Sequence, residues 1–166
     1  FLFHSEYEDK IVTVLTGNLV GSRREVQNRN ATSATLYGAE VGFTWDIAAD
    51  WWLDVSVNWT RGTEEMDATV APADRIPPMN VALTANWQLN DAWRLTAGVL
   101  AAARQDRLSD RDRTDPRIDP EGTGGYGRFD VGAAWAVTPD VDLSLAIDNI
   151  GDKRYREHGS GIDAIG

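Results

Sequence analysis

From Tyr37 to Ile47 the odd positions read Tyr, Ala, Val, Phe, Trp and Ile, and the even ones read Gly, Glu, Gly, Thr and Asp. The same period of two recurs over Trp51–Trp59, Val81–Leu89, Trp93–Ala101, Phe129–Val137 and Val141–Ile147. Every odd position in these runs is apolar or aromatic. The even positions are small, polar or charged, with Trp52 and Leu100 the main exceptions. Successive side chains of a strand point to opposite faces, so each run predicts a strand with one apolar and one polar face. A weaker seventh strand is expected over Phe1–Ile11, where Phe1, Phe3 and Tyr7 alternate with His4, Glu6 and Glu8. Helical spacing is poor throughout, and Ser22-x-x-Glu25, which has capping-box form, leads into no apolar stripe.

The connections alternate too. Ala48–Asp50, Asn90–Ala92 and Thr138–Asp140 read as tight hairpin turns, whereas Thr13–Ser33, Arg61–Ile76 and Ala103–Gly125 are long. In an up-and-down meander every second connection lies at the same end, so all short turns gather at one end and all long loops at the other. An outer-membrane barrel has that asymmetry. A soluble β-sandwich, such as a carbohydrate-binding module whose Trp side chains stack on sugars, also alternates and is the rival reading. Three features favour the barrel. The strands run to about 9 to 11 residues against a usual 5 to 6. The polar face is rich in Gly, Ala, Ser and Asp. Trp45, Trp51, Trp52, Trp87, Trp93 and Trp135 flank the short turns, with Trp59 towards the other end. From Trp51 to Trp59 a tilted strand rises roughly 20 Å along the membrane normal, near the ~25 Å band of such barrels. These Trp residues are expected to be membrane-interface aromatics.

Composition narrows the field. The 166 residues allow one ordinary domain. A net charge of -10 argues against a nucleic-acid partner, and the absence of Cys rules out disulfides and thiol chemistry. No apolar run is long enough for a transmembrane helix, a test that strands escape. His4 and His158 share no ligand spacing, and His158-Gly159-Ser160-Gly161 lacks the strand–turn–helix context of a nucleophile elbow. Gly122–Gly127 leads into a strand, so no helix N-terminus cradles phosphate there. No catalytic, cofactor or metal site is expected, nor enzymatic activity. The segment Arg104–Asp119 carries Arg104, Arg107, Arg111, Arg113 and Arg117 among as many Asp residues. It reads either as a self-neutralising solvated loop or as a contact for lipopolysaccharide phosphates or an anionic ligand, which guanidinium forks bind bidentately.

Asn149-Ile150-Gly151-Asp152-Lys153-Arg154-Tyr155 resembles the Asn-Leu-x-Asp-Lys-x-Tyr signature in the penultimate strand of TonB-dependent outer-membrane receptors, with Ile150 in place of Leu. Arg75-Ile76-Pro77-Pro78 resembles their Ile-Pro-Pro loop-to-strand junction, and Gly38-Ala39-Glu40 their Gly-x-Glu strand. The resemblance implies an all-β antiparallel meander of about seven long strands, part of a 22-stranded transmembrane barrel in the bacterial outer membrane. It also implies TonB-energised uptake of a small nutrient: a ferric siderophore, haem, cobalamin or a glycan. Residues 1–166 are expected to be a piece of that barrel, without its plug, TonB box or closing strand. Outer-membrane lipid, lipopolysaccharide and, through the plug, TonB are the implied partners. The resemblance places Asn149–His158 on a strand rising to the cell surface.

Overall fold

The computed structural model describes residues 1–30 and 33–164; Ala31 and Thr32, in the first long connection, and Ile165 and Gly166 lie outside the described residues. The elements in chain order are β1 (Leu2–Glu8), β2 (Ile11–Val20), β3 (Arg23–Asn30), β4 (Ser33–Ala48), β5 (Trp51–Met66) and β6 (Thr69–Pro72). There follow β7 (Asn80–Gln88), β8 (Trp93–Ala102), the short helix α1 (Asp110–Thr114), β9 (Tyr126–Thr138), β10 (Val141–Ile147), β11 (Tyr155–Arg156) and β12 (Asp163–Ala164).

One antiparallel sheet dominates, in the order β1-β4-β5-β7-β8-β9-β10, with β6 folded back onto β5. The six alternating runs are its strands β4, β5, β7, β8, β9 and β10. Their registers keep odd opposite odd: Val41 faces Val57, Val57 faces Val81, Ala97 faces Val131 and Leu145 faces Ala133. The apolar rows therefore align into one continuous face. Val41, Phe43, Ile47, Phe129, Leu143 and Leu145 on that face are all at least half exposed. Among the described residues no second sheet covers it, which removes the arrangement a β-sandwich requires.

Strand β1 departs from the expected parity. Its register places His4 opposite Tyr37 and Phe3 opposite Gly38. The even residues of β1 thus share the face of the odd residues of β4. Phe3 turns inward onto Gly38, where a Cβ would come within 2.6 Å of the ring, so only glycine leaves it room. The register also explains why His4, Glu6 and Glu8 are tolerated outside. They lie level with Tyr37, Thr35 and Ser33, beyond Trp59, where the apolar band has ended.

The alternation of short turns and long connections stands, but the long ones contain structure of their own. Thr13–Ser33 holds most of the hairpin β2–β3, turned at Gly21, whose φ is 65°. In Arg61–Ile76, β5 continues to Met66 before β6 returns beside it. Ala103–Gly125 holds α1, capped by the Ser109 hydroxyl, which accepts from the Asp112 N–H. The Asn149 motif is not on a rising strand. β10 ends at Ile147, Asn149 and Asp152 take φ values of 53° and 46°, and the chain turns away into the two-residue pair β11–β12.

Candidate functional site

The short-turn end carries an aromatic border. Trp51 lies in register with Trp87, and Trp93 with Trp135. Both pairs stack, with ring centroids 5.0 Å and 5.2 Å apart, because neighbouring strands hold paired side chains at about that spacing. Trp45 stands on the same face, opposite Leu53. Trp52 does not join this row: one residue from Trp51, it falls on the polar face, opposite Asn86. Towards the long-loop end Trp59 meets Tyr37 edge-on at 5.8 Å, and Tyr37 lies near His4. The sequence reading missed Tyr37 as a partner of Trp59, since only the β4–β5 register brings the two rings together.

The polar face is knitted across strands. Thr44 donates to Asp54 at 2.6 Å, Asn86 donates to the other Asp54 oxygen at 2.8 Å, and Asn58 donates to Asn80 at 3.2 Å.

At the long-loop end the connections fold into a compact cap. It holds the buried apolar residues Ala34, Ala73, Ile76, Leu108 and Ile118. At its centre Asp112 is 1% exposed and accepts the Arg75 backbone N–H with both carboxylate oxygens, at 3.3 and 3.1 Å. Ser109 donates to Asp74 at 2.7 Å, and Arg111 donates to the other Asp74 oxygen at 3.0 Å. Asp115 takes a bidentate grip from Arg117 and a further ion pair from Arg75. Gln105 ties the α1 connection to the loop before β7 by donating to the Ile76 carbonyl at 2.7 Å.

The arginines of Arg104–Asp119 separate by direction. Arg117 is committed to Asp115. Arg111 and Arg113 line a cleft of about 880 Å³, walled by Val14 and Leu15 of the hairpin and by Glu64 and Met66 of β5. Glu64 and Met66 share parity with Asp54 and Asn58, so this cleft opens on the polar face. Arg104 and Arg107 line a separate cleft of about 230 Å³, with Trp59 and Met79. Both are also bonded within the cap, Arg104 to the Glu121 carbonyl at 2.5 Å and Arg107 to the Gly62 carbonyl at 2.9 Å. The segment is therefore self-neutralised in part, and four of its five arginines line clefts.

The Asn149 motif works as a clasp. The Asn149 side chain donates to the Lys153 carbonyl at 2.9 Å and accepts from the Lys153 N–H at 3.0 Å. Its backbone N–H donates to Asp130 at 2.8 Å. Tyr155 then stacks on Tyr126 with centroids 4.2 Å apart and accepts from Arg128 at 3.0 Å. Beyond it, His158 Nδ1 meets the Thr123 hydroxyl at 2.9 Å, while its buried Nε2 has no partner among the described residues. Burial pushes the His158 pKa down; the Asp112 carboxylate opposes this and the Arg75 guanidinium adds to it.

Comparison with known proteins accords with this architecture. Residues 2–150 match the family model described as TonB dependent receptor-like, beta-barrel. The chain is similar to the ferric enterobactin receptor PirA of Pseudomonas aeruginosa, 26% identical over 98% of this chain. It spans 22% of that receptor's length. Among solved structures it is similar to the copper transporter OprC, with a TM-score of 0.76 and 23% identity over 93% of this chain and 22% of that one. It also resembles the ferric yersiniabactin uptake receptor FyuA of Yersinia pestis, with a TM-score of 0.61 and 20% identity over 93% of this chain and 22% of that one.

Proposed function

Because the chain belongs to the TonB-dependent receptor-like β-barrel family, whose proteins reside in the bacterial outer membrane, we propose that it forms part of the barrel wall and outer vestibule of a receptor for TonB-energised nutrient uptake. In this reading the exposed apolar face meets lipid and the polar face lines the lumen. The long connections stand at the cell surface and the short turns in the periplasm. The stacked Trp51–Trp87 and Trp93–Trp135 pairs, with Trp45, mark the inner membrane border, and Trp59 marks the outer one.

The observation that carries the proposal is the 880 Å³ cleft on the polar face, formed where the hairpin and the α1 loop converge at the long-loop end. Its size suits a small ligand, and it joins apolar walls to Arg111 and Arg113. Guanidinium groups suit an anionic metal chelate. With a ferric enterobactin receptor among its relatives, a ferric siderophore is the first substrate class to test, ahead of haem, cobalamin and glycans. TonB would engage the plug of the full-length receptor.

Epitope tags placed in each connection of the full-length receptor test the orientation. Tags in the long loops should be labelled on intact cells and tags in the short turns should not; the reverse pattern overturns the proposal. Growth on single iron sources, with and without Arg111→Gln/Arg113→Gln, then tests the substrate class. A ferric siderophore should support growth, and the double variant should need a higher concentration of it.

A further inference from the structure

The smaller cleft lies beside β5 above the start of β7, and three of its residues, Trp59, Arg61 and Met79, continue the odd, apolar face. Trp59 and Met79 belong to the odd, apolar row and are 38% and 45% exposed. Arg61 follows Trp59 by two residues, so it stands on the same face, ~5 Å further along the normal of a tilted strand. With Arg104 and Arg107 it lines a hollow of about 230 Å³ in which Asp106 is the one carboxylate among the described residues. In a chain of net charge -10 this grouping of cations runs against the overall balance. The Arg61 side chain is exposed and makes no hydrogen bond or ion pair among the described residues. Arg104 and Arg107 each spend a donor on one carbonyl, and a guanidinium carries five.

We infer that Arg61, Arg104 and Arg107, set above Trp59 and Met79, form a site for the phosphorylated headgroup of an outer-leaflet glycolipid on the outside of the barrel. The apolar rim offers contact to acyl chains, and the guanidinium groups offer charge-assisted hydrogen bonds to phosphate oxygens at headgroup height. The site is distinct from the polar-face cleft, because the two share no lining residue. The inference rests on the outer-membrane orientation proposed above, which the tagging experiment tests independently.

Native mass spectrometry of the full-length receptor in detergent can measure binding of bisphosphoryl lipid A, phosphate-free lipid A and inorganic phosphate. Bisphosphoryl lipid A should bind, removal of its phosphates should weaken binding by roughly tenfold or more, and inorganic phosphate should not compete. Arg61→Gln breaks no side-chain hydrogen bond or ion pair among the described residues and should weaken lipid A binding by roughly tenfold. Arg111→Gln, in the other cleft, should leave it unchanged. Equal binding of the two lipids, or an Arg61→Gln variant that binds as wild type does, overturns the inference. Competition by inorganic phosphate also overturns it, since the cleft would then be a simple anion site. A receptor whose long loops label at the surface but which fails these tests refutes the lipid site and leaves the uptake proposal intact.

Discussion

The two ends of the sheet are built by different rules. At the short-turn end, the turns Ala49-Asp50 and Pro139-Asp140 pair Ala48 with Trp51 and Thr138 with Val141, of unlike parity, and a register shift beside each restores like opposite like. The stacked Trp pairs join strands linked by the long connections and follow from register alone. At the long-loop end, hardly any contact follows from strand periodicity. Asp112 reaches the Arg75 backbone across 37 residues, and Thr123 reaches His158 across 35. The first end presents an apolar rim suited to lipid. The second gathers polar groups whose positions depend on one another. The aromatic row is thus set by a repeating pattern and strand register, although its partners are as distant in sequence as those of the cap, whereas the cap contacts follow no repeat.

The contrast between the faces should give the largest effect. Val57→Arg is expected to destabilise the full-length barrel by about 2–4 kcal/mol near the bilayer midplane. Asn58→Arg, its neighbour on the polar face, should cost about 1 kcal/mol, for the loss of its long hydrogen bonds to Asn80 and Ser56. Folding titrations into lipid vesicles check this, and the opposite ranking would reverse the face assignment.

Next comes the keystone of the cap. Asp112→Ala leaves the Arg75 N–H without its acceptor, at a cost of about 1–3 kcal/mol. The loss should stay within the cap: limited proteolysis between Ala103 and Gly125 should accelerate while the sheet melts as before. A fall in barrel melting of the same size would mean that the two ends are not separable.

At the other end, Trp87→Leu keeps an apolar side chain but removes one stack, at a cost of about 0.5–1.5 kcal/mol. Trp52→Leu, on the polar face and outside either stack, should cost less. Thermal unfolding of the two variants side by side measures the difference.

The smallest expected effect is a dependence on pH confined to the cap. The folded-state pKa of His158 lies below its ordinary value, chiefly through burial. Its neutral form is therefore the one favoured in the fold. The stabilisation is complete above the unfolded pKa, about 6.5, and is lost as pH falls through the lowered folded value. Asp112 on α1 and Arg75 before β7 are the charged groups that oppose and reinforce this. Proteolysis of the cap should rise on acidification, and His158→Gln should flatten that response.

The strands of the main sheet and the alternation of short and long connections were legible in the residues. Burial on one face imposes period two at every position of a strand, so the signal repeats. The hairpin β2–β3 was hidden for lack of such repetition: Ile11 and Leu15 alternate with Val12 and Val14, which are also apolar, and only Gly21-Ser22 marks its turn. Helix α1 has five residues, too few for any period, and its one local sign is the Ser109 cap. The reversed parity of β1 could not be read either, because its weak alternation does not say which of its faces aligns with the odd face of β4.

By itself, then, the sequence determined the fold class, the two faces, the aromatic border and, through Asn149–Tyr155, the family resemblance. Each of these rests on spacing along the chain. Tertiary structure alone decided that Trp52 leaves the aromatic row, that Asp112 is buried, and that the arginines of one loop divide between two separate clefts. Those outcomes depend on which distant backbone groups meet, and a loop without a period holds no record of its partners.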